Sequence, residues 1–151
     1  MKFCAENYPL NRLGSLPSFV ASLCAKLHAV TDGEGRPIML MLSKGQLSDH
    51  TGGKLLFPHL PAAETLIADE SYDSDQHRDA LAATGIMPCI LPGSNRIANI
   101  ICKKDLYKTR GSIEIIFGRL KDWRPIARRY DRAVHTFLSA TYVAATVFFW
   151  L

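Results

Sequence analysis

The sequence lacks the spacings that announce most metal sites and disulfide scaffolds. Its four cysteines, Cys4, Cys24, Cys89 and Cys102, include no CxxC pair, and its five histidines, His28, His50, His59, His77 and His135, fall at no ligand spacing. Neither a zinc site nor a disulfide framework is expected, and a reducing cytoplasm is the simplest compartment. There is no internal repeat and no low-complexity tract. Acids are scarce at the start: Glu6 is the only one ahead of Lys26. Charge is missing at the other end, where Ala133 to Leu151 carries no Asp, Glu, Lys or Arg over 19 residues.

What is present suits one globular domain. A chain of 151 residues can bury a proper core, and 48% hydrophobic with 21% charged residues argues against disorder. The net charge of +4 is unevenly placed. Lys103 to Arg132 holds ten Lys/Arg against four Asp/Glu, leaving eight basic and ten acidic residues for the rest. Such asymmetry predicts a polyanion-facing surface at one end of the molecule.

Two apolar stretches raise the question of membranes. Leu16 to Ala25 is short, broken by Pro17 and preceded by Glu6, a poor signal peptide. Ala133 to Leu151 follows RRYDR and could serve as a tail anchor. His135, Thr136, Ser139, Thr141, Tyr142 and Thr146 make it mixed, so a buried last helix is expected, with no membrane partner.

Taken in order, Met1 to Ser22 shows no periodicity and is interrupted by Pro9, Gly14 and Pro17; residues 1–24 read as an irregular segment. AKLHAVTD, DGEG and RPIMLMLSKG form a strand, a turn and a second strand, a β-hairpin. Ser48 or Asp49 can cap a helix running to about Leu60, although Gly52–Gly53 weakens it. Thr65 to Asp69 is a short strand with continuously apolar Leu66, Ile67 and Ala68, as in the middle of an α/β sheet. A helix over Ser74 to Ala83 stops at Gly85, a strand covers Met87 to Leu91, a long helix ends near Pro125, and a last helix starts around Asp131. The order predicts a mixed α/β domain whose sheet is covered by helices.

The chemistry concentrates in YKTRGSIEIIFGRLK, Tyr107 to Lys121. At about 100° per residue, Tyr107, Arg110, Glu114 and Lys121 share an arc of roughly 60°. Leu106, Ile113, Ile116, Phe117 and Leu120 form an adjoining apolar face. A carboxylate among cations can hold a metal beside a phosphate, yet taken alone the helix reads in the first place as amphipathic with a solvated charged face. Asp69 follows a buried strand, where ligands of open α/β sheets bind, although by spacing alone it reads as a capping acid. Two such carboxylates are ingredients of a divalent-metal site, since Mg²⁺ prefers hard oxygen ligands.

The residues IADESYDS around Asp69, with the spacing Tyr107, Arg110, Glu114, Lys121, resemble DDE transposases of bacterial insertion sequences. They are of the insertion sequence 4/5 type and closest to the insertion sequence 5 group. The second pattern matches that family's Y-R-E-K signature at all four positions. AKLHAVTDGEGRP, LSKGQLSDH and FGRLKDWRPIARRYD have counterparts in the same order, so the resemblance covers residues 25–151. It implies an RNase H-like mixed sheet flanked by helices, and metal-dependent cleavage and strand transfer at insertion-sequence ends with Mg²⁺ or Mn²⁺. Asp69 and Glu114 would be catalytic and metal-binding. Tyr107, Arg110 and Lys121 would contact transposon-end DNA, and Arg124, Arg128 and Arg129, with Lys103 and Lys104, extend the basic surface toward it. The last helix would close the domain.

One corner of the implied triad is missing. A first aspartate belongs at the end of the sheet's first strand, yet Asp32 lies in the hairpin turn and Glu6 is the only acid further upstream. The chain is therefore expected to lack the first strand and to be inactive alone. An upstream transposase segment or a second copy could then complete it at the open edge. Three readings follow: part of a transposase catalytic domain, an inactive DNA-binding remnant or regulator, and, less favoured, a tail-anchored membrane protein. The first two place the chain with DNA, at transposon ends and target, in the bacterial cytoplasm.

Overall fold

The computed structural model describes residues 10–16 (backbone only), 25–93, 106–107, 111–123 and 134–151. The expected hairpin is present. Strand β2 (Ala25–Thr31) and strand β3 (Pro37–Lys44) pair antiparallel around the DGEG turn. There Gly35 adopts φ 84°, a left-handed conformation that glycine takes without steric cost. Asp32 ties this turn together, its buried carboxylate accepting hydrogen bonds from Glu34 N, Arg36 N and Arg36 Nε at 2.8–2.9 Å.

A first strand exists, against expectation. Strand β1 (Leu10–Leu16) lies in the centre of a five-stranded sheet of order β3-β2-β1-β4-β5. It pairs antiparallel with β2 (Leu13↔Val30) and parallel with strand β4 (Thr65–Ala68; Leu13↔Ala68). No gap is left between β2 and β4. The irregular segment expected over residues 1–24 is thus corrected at 10–16; residues 1–9 and 17–24 lie outside the described residues. The physical reason is that a strand slot is filled by backbone hydrogen bonds. LNRLGSL therefore enters it without the alternating pattern by which strands are recognised. Strand β5 (Met87–Ile90) adds parallel to β4.

Helix α1 (Asp49–Leu56) starts where predicted, with Ser48 Oγ accepting from Thr51 N. It ends earlier than predicted, passing into a 3₁₀ turn over Phe57–His59. The Gly52–Gly53 pair, which argued against a helix, is demanded by packing. A Cβ at Gly52 would lie 2.4 Å from His28 Cε1, and one at Gly53 would lie 3.0 Å from His77 Cε1. Helix α2 (Asp75–Ala83) is capped by Ser74 and stops before Gly85, φ 77°. Helices α3 (Ser112–Asp122) and α4 (Val134–Trp150) follow.

The sheet separates two cores. Val30, Leu56, Phe57, Leu66, Ala68, Tyr72, Leu81 and Ile90 fill one face under α1 and α2. Leu27, Ala29 and Leu40 meet Ile113, Ile116, Phe117 and Leu120 of α3 and Phe137, Ala144 and Ala145 of α4 on the other. Each such large side chain contributes roughly 1.5–3 kcal/mol. The charge-free C-terminal stretch is therefore a packed helix, and among the described residues no helix is long and apolar enough to cross a membrane. Cys89 on β5 is disulfide-bonded, a bond that four scattered cysteines do not announce.

Candidate active site and DNA-facing residues

Asp69 follows Ala68 at the carboxyl end of β4, beside the central strand. It caps the 3₁₀ turn Glu70–Tyr72, its Oδ1 accepting from Glu70 N at 2.9 Å. Tyr107 Oη donates to the same Oδ1 at 3.5 Å. The fold therefore brings together Asp69 and Tyr107, 38 residues apart in sequence.

The segment after Asp69 is held by contacts that sequence reading did not single out. Tyr72 is fully buried. Its hydroxyl meets His28 Nδ1 at 2.9 Å, and its carbonyl accepts from His77 Nδ1 at 2.8 Å. His28 Nε2 shares a second hydrogen bond with Ser43 Oγ at 2.8 Å. Burial of the His28 imidazole pushes its pKa down to about 4, against a smaller raising effect of Asp49 and with a further lowering by Lys26. Asp73 accepts from Arg78 Nε at 2.9 Å and from Gly93 N at 3.0 Å, while Arg78 also donates to Ile90 O. These bonds tie the Asp69 loop to β2, α2 and the end of β5. The run ESYDSDQHRD carries most of the partners, but only a three-dimensional register reveals what each one touches.

Glu114 and Lys121 are exposed on α3, as the helical wheel predicts. The first turn of α3, however, packs through Ser112 against Gly35, where a Cβ would lie 3.1 Å from Ser112 Cβ. β2 runs antiparallel to β1, and β4 runs parallel to it. The β2–β3 turn and Asp69 therefore stand at opposite ends of the sheet. Asp32, in that turn, is likewise at the end away from Asp69, its carboxylate engaged as described. Arg110, Arg124, Arg128, Arg129, Lys103 and Lys104 lie outside the described residues.

The class of protein is defined by the fold. The chain superposes with TM-score 0.62 on a chain of the simian T-cell lymphotropic virus intasome in complex with the PP2A regulatory subunit B56 gamma, at 16% identity. That match covers 93% of this chain and 48% of the other, so this chain spans about half its length. The catalytic core domain of BIV integrase gives TM-score 0.59 at 11% identity, covering 93% and 82%. At such identities the likeness is one of fold: an RNase H-like domain of the retroviral integrase kind.

In sequence, residues 21–148 match the family described as "Transposase DDE domain". A "Putative transposase for insertion sequence element IS6501" from Brucella ovis is 30% identical over 131 residues, covering 85% of this chain and 99% of that protein. The chain belongs to the DDE transposase family of insertion sequences, and DNA transposition is the process in which it has its place.

That family depends on divalent metal ions, so the donor set can be tested against one. Two closely held cations need several converging carboxylates. Asp69 stands at the carboxyl end of β4 within reach of Tyr107 Oη, while the first turn of α3 packs through Ser112 against Gly35. β1, LNRLGSL, supplies no acid beside Asp69, and among the described residues no three His, Cys, Asp or Glu side chains form a metal-holding group. Among the described residues, the donor set does not make up a two-metal centre.

Proposed function

We propose that this chain is a DDE transposase domain that binds insertion-sequence DNA but does not by itself cut or join it. The observation that carries this reading is β1. The strand that should bring the first carboxylate to Asp69 is in place, and its residues are LNRLGSL. An edge awaiting a partner's strand does not account for the deficit, because an upstream segment would have to displace Leu10–Leu16 from between β2 and β4.

Asp69 and Glu114 are the remnants of the catalytic set that would hold Mg²⁺ or Mn²⁺ in an intact relative. Phosphate contacts do not need that set. Tyr107, placed beside Asp69, and the cations Arg110, Lys121, Arg124, Arg128 and Arg129 are the residues this reading assigns to contacts with transposon ends and target DNA, in the bacterial cytoplasm.

Labelled terminal-repeat DNA incubated with the chain and Mg²⁺ or Mn²⁺ tests both halves. Retarded mobility without strand cleavage is expected. Robust cleavage that disappears in Asp69→Ala would overturn the reading and restore a working active site.

A further inference from the structure

Where α1 and the 3₁₀ turn after it meet α2, an open cleft of about 330 Å³ is left. Phe57, Pro58 and Ala80 give it apolar walls, and the exposed Lys54 and Gln76 give it a polar edge. Concavities of this size, mainly apolar with a few placed polar groups, are where small molecules bind. Lys54 forms no ion pair among the described residues.

His77 forms part of the same cleft and is 1% exposed. Its Nδ1 lies 2.8 Å from Tyr72 O. A carbonyl only accepts, so Nδ1 carries the proton, and burial pushes the pKa of the ring down. Nε2 is therefore a bare acceptor, and no group of the chain meets it. His50 stacks on the face of the ring at 4.1 Å and Phe57 meets it edge-on at 4.7 Å, so neither ring puts a donor before it. A buried acceptor without a donor is costly and rare in a native protein.

We propose that this cleft binds a small aromatic acid that carries a hydroxyl. The ring lies against Phe57 and Pro58, the carboxylate is drawn by Lys54, and the hydroxyl donates to His77 Nε2. Each part answers one feature of the cleft. A flat apolar body suits the phenyl and pyrrolidine walls, a negative end suits a lone ammonium, and only a donor can satisfy Nε2. A cavity of roughly 150 Å³ takes benzene, so this one has room for the ring, its hydroxyl and a short acidic arm. DNA is a poor occupant, because one lysine offers one phosphate contact. The cleft uses none of the residues assigned to DNA, and the inference stands whether or not the chain binds or cleaves it.

Titration of the full chain with para-hydroxyphenylacetate, followed by calorimetry and by the histidine-ring NMR signals, reads the outcome. Saturable binding with a Kd of about 1 mM or tighter is expected, with the His77 signals shifting. The uncharged para-hydroxyphenylacetamide and the hydroxyl-free phenylacetate should each bind about threefold or more weakly. Lys54→Gln, at an exposed site where the fold is not at stake, should abolish the preference for acid over amide. His77→Asn, which keeps a donor toward Tyr72 O, should abolish the preference for the hydroxyl; if it does not fold, the phenylacetate comparison on the unaltered chain decides that contact. No saturation by about 10 mM would overturn the proposal. So would equal binding of acid and amide, equal binding of phenylacetate and the hydroxy acid, or binding that survives Ala80→Trp, which fills the cleft from the exposed side of α2.

Discussion

His28 shows how much one buried side chain can govern. Its imidazole is fully buried between two hydroxyl partners, and its pKa of about 4 lies below the 6.5 it has in the unfolded chain. Between these values the unfolded chain binds the extra proton, so stability rises with pH across that window. The full contribution is present above pH 6.5, and on the order of 3 kcal/mol is lost as pH falls to 4. Urea unfolding at pH 7 and pH 4.5 should show this loss, and His28→Gln should flatten it. The neighbouring glycines give opposite outcomes under the same substitution. Gly52→Ala drives a methyl into an imidazole pinned at both nitrogens and should destabilise by about 1–3 kcal/mol. Gly118→Ala, mid-helix on α3 with nothing within 4 Å, should stabilise by up to about 1 kcal/mol. Gly14 matters for another reason. Leu13 pairs with Ala68, so Gly14 is level with Asp69. A carboxylate introduced there should tighten Mn²⁺ binding to the isolated chain at least tenfold, read by calorimetry, and Asp69→Ala should cancel the gain.

At the scale of elements, the exposed edge of the sheet explains part of α4. β3 is an outer strand, and an unpaired edge invites pairing with other chains. Tyr142 Oη donates to Leu40 O and Trp150 Nε1 to Pro37 O, so the helix caps two carbonyls of β3. Tyr142→Phe and Trp150→Phe should each lower stability by about 1 kcal/mol, measured as a fall in Tm, and together should promote aggregation. The hairpin, α1, α2, β4 and β5 were all legible from capping residues, turn glycines and apolar runs. β1 was not, because Pro9, Gly14 and Pro17 break the pattern by which a strand announces itself, while the slot it fills demands only backbone donors and acceptors.

For the whole molecule, the proposed reading of DNA binding without cleavage makes a prediction about salt. Five cations of the proposed surface, Arg110, Lys121, Arg124, Arg128 and Arg129, should give log Kd against log salt a slope magnitude of about 4 to 5 if each neutralises one phosphate. Asp69→Ala should leave that slope unchanged, whereas Arg128→Ala with Arg129→Ala should reduce it by about 2. A salt titration by fluorescence anisotropy checks both.

The order of residues was enough for the family, because the Tyr107, Arg110, Glu114, Lys121 spacing and the Asp69 strand end are local patterns that survive without a neighbour. It also showed that no carboxylate precedes Lys26 except Glu6. Tertiary structure alone decided that Leu10–Leu16 occupies the centre of the sheet, that His28 and Tyr72 stand behind the Asp69 loop, and that the first turn of α3 packs through Ser112 against Gly35. Those outcomes depend on pairing and packing between segments far apart in the chain, where periodicity and capping carry no signal.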